Sequence, residues 1–419
     1  MSFHKDILIV GGGVIGVCAA YYLTQSGRQV TLLESGDICS GASYGNAGFL
    51  LYSHIIPLAA PGVLGQGLKW LFDSTSPLYV KPRLNLELAS WVWRFRGACK
   101  EKNMRRSMGI LSDLARESKR LYEDLSSMKD LQFGYQSRGH LKLYRTEKGL
   151  NSGQQEAEWM KEFGIETRIL KPAQVHEMVP VVLPDVIGGI FFPHDSHLIP
   201  HEFVTELADS VKKMGVDIRT DTEVLGFDVT GSEIAFLRTT RGNFSANQIV
   251  LAGGARSPLL IRDLNLRLPI QGAKGYSVTY RYPDGLSEKI ASIPILLKEA
   301  AVAITPMDGM VRFSGTLELS GWDLSINEKR IDAFLRNTQK YVSIPPDLEL
   351  VEIWRGLRPC TPDGLPVICR TKRYTNLILA TGHGTIGMGL GPVTGKLVSQ
   401  IVCNKPPELD MAPLGIERF

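Results

Sequence analysis

The first 35 residues contain two short apolar runs with one longer apolar stretch between them. The runs at 7–10 and 30–34, the second of which ends in an acid, are typical of strands, and 14–23 has the length of a helix. Glycines separate the first run from the helix. This order predicts a βαβ unit of about thirty residues, as in a parallel nucleotide-binding sheet.

The rest of the chain mixes helical and strand patterns. An amphipathic stretch around 108–128 predicts a long helix, and alternating runs at 277–282, 301–305 and 311–315 predict strands. Residues 377–402 predict a buried strand, a glycine loop and a helix. The pattern therefore predicts a nucleotide-binding domain that the chain leaves and re-enters around a second domain built mostly of strands.

The glycine turn after the first strand has the spacing of a dinucleotide-binding motif. Gly11 permits the tight turn, Gly13 lets the backbone approach a pyrophosphate, and Gly16 lets the helix pack closely on the strand. Glu34 lies 18 residues after Gly16, where its carboxylate can accept hydrogen bonds from ribose hydroxyls. A glycine turn that served packing alone would not explain this acid. The predicted contacts are Gly11, Gly13, Val14, Ile15, Gly16, Glu34 and Ser35.

Two further features favour a flavin over a nicotinamide. Residues 35–50 are dense in small side chains, which let a backbone press against a flat ring system and donate amides to it. A second glycine turn follows a predicted strand near 250, and a third glycine loop around 382–389 suits an anionic, reduced flavin. The further predicted contacts are Ser43, Asn46, Ala47, Gly48, Val224, Ala252, Gly253, Gly254, Gly382, Gly384, Thr385, Ile386, Gly387 and Met388.

Length and composition indicate a globular chain of more than one domain. The chain has 419 residues, of which 44% are hydrophobic and 21% are charged. The net charge of +4 comes from basic residues spread along the chain, which argues against a nucleic-acid partner. The six cysteines are scattered and suggest neither disulfides nor a metal site, and the start of the chain is unlike a signal peptide. We therefore expect a cytoplasmic protein.

Two features invite other interpretations. His194, His197 and His201 lie close in sequence, but their spacings of three and four favour solvated or capping histidines over a zinc site, so we predict no metal. Residues 38–68 contain no charged side chain, yet prolines and glycines exclude a membrane span. The stretch 55–72, which includes Trp70, could pack normally, form a lid, or contact the inner face of a membrane peripherally.

Six motifs together resemble the FAD-dependent D-amino-acid oxidase and dehydrogenase superfamily. They are "IVGGGVIG", "LLES", "SGASYGNAG", "VLAGGARS", "GLRPCTPDGLPVI" and "ATGHGTIGMG". The resemblance runs from residue 5 to about 400. Within the superfamily the chain is most similar to the bacterial D-amino-acid dehydrogenases, a branch that includes D-proline and D-hydroxyproline dehydrogenases.

The resemblance implies an α/β fold in which a Rossmann-like FAD-binding domain carries an inserted, mostly antiparallel β substrate domain. We assign residues 1–80, 171–260 and 350–419 to the FAD-binding domain, and residues 81–170 and 261–349 to the substrate-binding cap. The resemblance also implies hydride transfer from the α-carbon of an amino acid to N5 of a non-covalent FAD. Electrons then pass to a quinone or another carrier.

The resemblance also assigns roles to side chains of the substrate site. Arg358 matches the arginine of the "GLRP" motif, which grips the substrate carboxylate through a two-pronged contact. Tyr276 is a candidate for a second carboxylate contact or a wall of the pocket, with a structural tyrosine as the alternative. His383 either shapes the site or packs its loop.

Two further arginines and two departures from the family pattern complete the prediction. We expect Arg312 and Arg355 to support the site or to pair with acids such as Asp363 or Glu318. Thr385 stands where several oxidases carry an arginine, and Cys360 lies closer to the "TPD" motif than the flavin-linking cysteine of sarcosine oxidases does.

Two alternatives to the leading hypothesis remain open at this point. One is an oxygen-using amine oxidase of the glycine or sarcosine type. The other is a flavoprotein subunit of a hetero-oligomeric electron-transfer dehydrogenase. Both a homo-oligomer and a hetero-oligomer are compatible with the sequence.

Overall fold

The computed structural model describes residues 2–61, 63, 78–81, 85–283 and 291–419. The helices are α1 (Val14–Gln25), α2 (Leu86–Ala98), α3 (Glu101–Ser126), α4 (Glu147–Lys161), α5 (Pro172–Met178), α6 (Pro200–Lys213), α7 (Ser257–Leu260), α8 (Glu328–Thr338) and α9 (Gly391–Val402). The strands are β1 (Ser2–Val10), β2 (Val30–Leu33), β3 (Phe49–Leu50), β4 (Leu78–Val80), β5 (His140–Tyr144), β6 (Arg168–Leu170), β7 (Gly188–Phe192), β8 (Ser196–His197), β9 (Asp217–Arg219), β10 (Val224–Thr230), β11 (Glu233–Thr239), β12 (Gly242–Leu251), β13 (Gln271–Arg281), β14 (Ile295–Leu297), β15 (Val302–Met307), β16 (Met310–Leu319), β17 (Glu349–Cys360), β18 (Val367–Arg370) and β19 (Leu377–Thr381).

The first sheet has a parallel centre in the order β9-β2-β1-β12-β19. Strands β10, β11 and β18 add antiparallel pairs to it. Ile7 and Ile9 face the core that contains α1 and α9, and Leu8 and Val10 face the core on the other side. Burial on both faces explains why this strand is a continuous apolar run and does not alternate with polar residues. The predicted βαβ unit is therefore present.

The second sheet is mixed and mostly antiparallel, in the order β17-β13-β16-β15-β14-β5-β7-β6, with β4 paired to β16. One face of its central strands is apolar and packs on α8, where Ile331 and Phe334 join Val278 and Phe313 in one core. The other face is turned towards the loop that follows the first βαβ unit, because Arg312 and Thr305 bond to that loop. The α/β fold predicted from the sequence is confirmed.

Some elements depart from the predicted division of the chain. Strands β7 and β17 lie in segments 171–260 and 350–419, which we predicted for the FAD-binding domain, yet both hydrogen-bond within the second sheet. Helix α3 lies in the predicted cap segment 81–170, yet it packs on α9 and shares the core of the first sheet. Strand pairing joins residues that are distant in sequence, so a division by sequence blocks could not anticipate these placements. The two-domain division as a whole remains a prediction.

Within the described residues, no helix is both long and apolar enough to cross a bilayer. The part of the stretch 55–72 that carries Trp70 lies outside the described residues, so the predicted lid or membrane contact stays a prediction.

Helices α1 and α9 approach closely where both have small residues. A Cβ at Gly395 would lie 2.5 Å from the carbonyl carbon and oxygen of Cys18, and a Cβ at Gly391 would lie 2.7 Å from Cγ2 of Val14. The first contact is with rigid backbone, so a larger residue must push the helices apart.

We therefore expect Gly395→Ala to lower the free energy of unfolding by about 1–3 kcal/mol, the usual cost of overpacking. Gly97→Ala in α2 is the matched control, because a Cβ there meets nothing within 4 Å and alanine stabilises a helix by about 0.5–1 kcal/mol relative to glycine. Urea denaturation of both variants measures the difference. Equal stability of the two variants would contradict the close approach.

Candidate active site

The three glycine-rich segments predicted to hold the cofactor meet at one edge of the first sheet. Strands β1, β12 and β19 are parallel neighbours that end at Val10, Leu251 and Thr381, so the turns that follow them lie side by side. A Cβ at Gly11 would lie 2.5 Å from the carbonyl oxygen of Ala252, and the φ angle of Gly11 is +113°. Glycine is therefore required at this turn.

Helix α1 and Glu34 both border the first turn. A Cβ at Gly16 would overlap the carbonyl oxygen of Gly11, which explains the third glycine of the motif. The Glu34 carboxylate accepts hydrogen bonds from Gly12 N at 2.6 Å and Gly36 N at 3.0 Å. The first turn of α1, which is fully described, has no acidic residue, so its positive dipole end suits a pyrophosphate.

Residues 43–48, here called the small-residue loop, lie between the two sheets. The buried guanidinium of Arg312 donates from Nη1 to the carbonyl oxygens of Tyr44 at 3.2 Å and Asn46 at 3.0 Å. Its Nε donates to Oγ1 of Thr279 at 3.0 Å, and burial lowers the pKa of Arg312. Because the second sheet holds these carbonyls, the amides of the loop can be directed at a flavin. Further bonds join Thr305 Oγ1 to Ala47 O, Val14 N to Ser43 Oγ and Gly48 N to Asn46 Oδ1.

Arg312 thus supports the loop, and the predicted pairing of Arg312 or Arg355 with Asp363 or Glu318 is wrong. Each of these acids already has a closer partner. Arg355 instead donates from Nε to the carbonyl oxygen of Leu324 at 3.0 Å. The ion pairs that form are Arg418–Asp363 at 2.7 Å, Arg330–Glu318 at 2.6 Å and Lys274–Glu318 at 3.4 Å.

Arg358 lies near the end of β17 and is partly buried. Its Nη1 donates to the carbonyl oxygen of Thr316 at 2.9 Å, and a Cβ at Gly275 would overlap its guanidinium. Burial lowers the pKa of Arg358, and no carboxylate of the described residues opposes that shift. Arg358 is therefore a positive charge for which the described part of the chain supplies no acid.

Trp354 lies on the same face of β17 as Arg358, because side chains alternate along a strand. A Cβ at Gly45 of the small-residue loop, or at Gly356, would overlap the Trp354 ring. Gly356 is paired directly with Gly275 of β13. The Arg358 guanidinium therefore lies over Gly275 and the Trp354 ring lies over Gly356, on the face that Gly45 of the small-residue loop approaches.

Tyr276 lies on the opposite face of the second sheet. It is paired with Arg355, whereas Arg358 is paired with Ala273, and directly opposed residues share a face. The Tyr276 hydroxyl accepts a hydrogen bond from Asn327 N at 3.3 Å, and its ring lies in the apolar core. This position does not fit the predicted carboxylate contact and fits the alternative, a structural tyrosine.

His383 lies in the glycine loop after β19, with its ring turned to the interior. Its Nε2 lies 2.9 Å from Oγ1 of Thr394 in α9, and burial lowers its pKa to about 3. The same loop is joined to β17, since Gly384 N donates to the carbonyl oxygen of Pro359 at 2.8 Å. Of our two alternatives, these contacts favour His383 as a neutral residue that holds the loop.

Helix α3 also holds this loop, which sequence reasoning missed. The hydroxyls of Ser118 and Tyr122 donate to the carbonyl oxygens of Gly389 and Met388. Both hydroxyls lie on the buried side of an amphipathic helix, where a polar side chain needs a partner. The sequence pattern could have shown that these two hydroxyls lie on the buried side of the helix, but it could not have shown that the glycine loop accepts their hydrogen bonds.

Val224, another predicted cofactor contact, lies at the start of β10 and close to Glu34 in the chain's hydrogen bonding. Thr222, two residues before it, donates its N–H to the carbonyl oxygen of Glu34 at 2.8 Å. Cys360 is buried beside the glycine loop, and burial raises the pKa of its thiol to about 11. No group of metal-ligating side chains occurs among the described residues, including His194, His197 and His201.

A comparison with known families decides what this arrangement is. A family profile described as "DAO: FAD dependent oxidoreductase" matches residues 6–401. The chain belongs to this family. FAD is accordingly its cofactor, and the three turns, Glu34 and the small-residue loop fit that group.

Known proteins similar to this FAD-dependent oxidoreductase match it over nearly its whole length. A D-amino acid dehydrogenase of Vibrio atlanticus is 33% identical over 99% of this chain and 100% of its own, and one of Neisseria meningitidis is 31% identical over 99% of both. Among solved structures, glycine oxidase of Geobacillus kaustophilus has a TM-score of 0.80 and 25% identity over 100% of both chains. The superfamily and branch that the sequence resembled are confirmed.

The burial of His383 has a consequence for stability. Because its pKa falls from 6.5 to about 3 in the folded oxidoreductase, the unfolded chain binds more protons between these values, and stability decreases as the pH falls through that window. We expect His383→Gln to remove about 1.4 kcal/mol per pH unit from the slope of unfolding free energy between pH values of about 6 and 4. Chemical denaturation at several pH values measures the slope. An unchanged slope would show that His383 is protonated in the folded protein.

Proposed function

We propose that this FAD-dependent oxidoreductase removes a hydride from the α-carbon of a D-amino acid and passes the electrons to a quinone or another carrier. The observation that carries the proposal is the Arg358 guanidinium on the face that is turned to the small-residue loop. A D-proline or hydroxyproline substrate is the narrower form of the proposal.

Arg358 has the charge, shape and surroundings of a carboxylate clamp. A planar guanidinium can donate two parallel hydrogen bonds to a carboxylate, and it binds best where water is excluded. Its one described bond, from Nη1 to the Thr316 carbonyl, fixes its orientation and leaves donors for a ligand. An anionic substrate would therefore supply the negative charge that the described residues do not.

The cofactor and the substrate then occupy adjacent places. FAD, when bound, supplies an acceptor for a hydride. The turns after β1, β12 and β19 would hold it along its length, with Glu34 at the ribose and the small-residue loop against the ring. Trp354 touches that loop at Gly45 and shares its strand face with Arg358. A carboxylate on Arg358 would thus lie on the face that carries the Trp354 ring and is approached by the small-residue loop.

The names of the relatives support a dehydrogenase of D-amino acids. An oxygen-using amine oxidase is the second candidate, because glycine oxidase of Geobacillus kaustophilus shares this fold over the whole chain. L-proline dehydrogenase of P. horikoshii shares the fold as well, with a TM-score of 0.77 and 20% identity. A hetero-oligomeric subunit, peripheral membrane contact and non-covalent attachment of FAD remain predictions.

Anaerobic reduction of the flavin, followed by its visible absorbance, tests the proposal directly. D- and L-amino acids, including both prolines, are mixed with the FAD-loaded protein, and reduction by D-amino acids alone is expected. Stoichiometric peroxide in air would assign the protein to the oxidases. No reduction until a partner protein is added would assign it to the hetero-oligomeric enzymes.

The two arginines of β17 provide a matched pair of variants. We expect Arg358→Ala to keep FAD and to weaken substrate binding by about 2–4 kcal/mol, the cost of removing one side of a desolvated charge pair. Arg355→Ala, on the other face of the same strand, is expected to leave substrate binding unchanged. Titration of both variants with the best D-amino acid measures the difference. Unchanged affinity in Arg358→Ala would remove the clamp from the proposal.

A further inference from the structure

Among the buried hydroxyls of the second sheet that have no hydrogen-bond partner within the described residues, two are directly opposed on neighbouring strands. They are Oγ of Ser277 in β13 and Oγ of Ser314 in β16. Their side chains are 1% and 7% exposed, and the two residues are directly opposed in the register of the strands. The hydroxyls therefore share one face of the sheet.

That face is the one that carries Arg358. Ser277 is paired with Trp354 and lies two residues after Gly275, over which the Arg358 guanidinium lies. Two residues along a strand span about 6.6 Å. The hydroxyl pair therefore lies one strand repeat from the carboxylate clamp, on the side nearer to Trp354.

Thr279 and Thr305, which carry neighbouring hydroxyls of this face, do have partners. Thr279 accepts from Arg312 Nε, and Thr305 donates to the carbonyl oxygen of Ala47. Both contacts belong to the attachment of the small-residue loop. A buried hydroxyl without a partner destabilises the fold, so its presence at Ser277 and Ser314, between that attachment and Arg358, points to a polar ligand group.

We propose that Ser277 and Ser314 bind the amino group of the substrate. This inference rests on the proposed function, because it needs a carboxylate on Arg358. A hydroxyl oxygen has two lone pairs, so the pair can accept both N–H bonds of a neutral amine and leave its nitrogen lone pair free. The site then distinguishes amino acids from carboxylates that lack the amine, and Tyr276, next to Ser277 in sequence, takes no part because it faces away.

The test compares one D-amino acid that reduces the flavin with the same acid without its amine, for example D-alanine and propionate. Anaerobic reduction kinetics give the dissociation constant of D-alanine, and perturbation of the flavin absorbance gives that of propionate. We expect Ser277→Ala with Ser314→Ala to weaken D-alanine about tenfold, as for the loss of well-formed hydrogen bonds, and to leave propionate unchanged. Weakening of both ligands, or of neither, would overturn the inference.

Arg358→Lys separates this inference from the proposed function. It should weaken both ligands, because both carry the carboxylate. If propionate binds equally well to Arg358→Lys, the clamp fails. The other outcome is that the clamp holds while the serine variants still prefer D-alanine over propionate as strongly as the parent protein does. In that case only the assignment of the amine fails.

Ser320→Ala is the matched control, because Ser320 is also a buried serine whose Oγ is without a partner among the described residues, and it lies just beyond the end of β16. In the substrate-free protein, all three alanine variants should raise the midpoint of unfolding, since each removes an unsatisfied group. Only those at 277 and 314 should alter D-alanine binding. A lower midpoint at 277 or 314, or an altered flavin spectrum with D-alanine binding intact, would assign the hydroxyls to other partners and overturn the inference.

Discussion

The arrangement of the site depends on the buried guanidinium of Arg312. It lies on β16 of the second sheet and donates to two carbonyl oxygens of the small-residue loop, which follows the first βαβ unit. A charge removed from water needs several hydrogen bonds to offset its desolvation, and the loop in this place accepts two of the three that Arg312 makes. The same contact therefore orients the loop towards the cofactor and fixes the loop to the sheet that carries Arg358.

Because side chains alternate along β13, β16 and β17, one face of the second sheet carries the polar residues of the site and the other packs in the apolar core. One face carries arginines, small residues and hydroxyls, with glycines at the two positions where Arg358 and the Trp354 ring lie across the backbone. The other face carries Tyr276, Val278 and Phe313, which pack on α8. A shift of register by one residue would exchange the two faces, so the apolar core also holds the polar face in position.

Electrostatics distinguish the two faces as well. On the apolar side, the buried carboxylate of Glu318 is paired with Arg330 and Lys274. On the polar side, Arg358 is without such a partner among the described residues, and His383 near the end of β17 is kept neutral by burial. The Arg358 guanidinium is thus complementary to an anion, and the nearby histidine is neutral.

The sequence by itself determined the elements and turns whose signals are local. The βαβ unit, the glycine spacing from Gly11 to Gly16, the acid at Glu34 and the motif of Arg358 could all be read from neighbouring residues, because strand length, helix length and tight turns are short-range properties. Only the tertiary structure decided which face Tyr276 occupies, that β17 joins the second sheet, and that α3 holds the glycine loop. Each of these depends on hydrogen bonds between segments far apart in the chain, and no local pattern encodes such pairings.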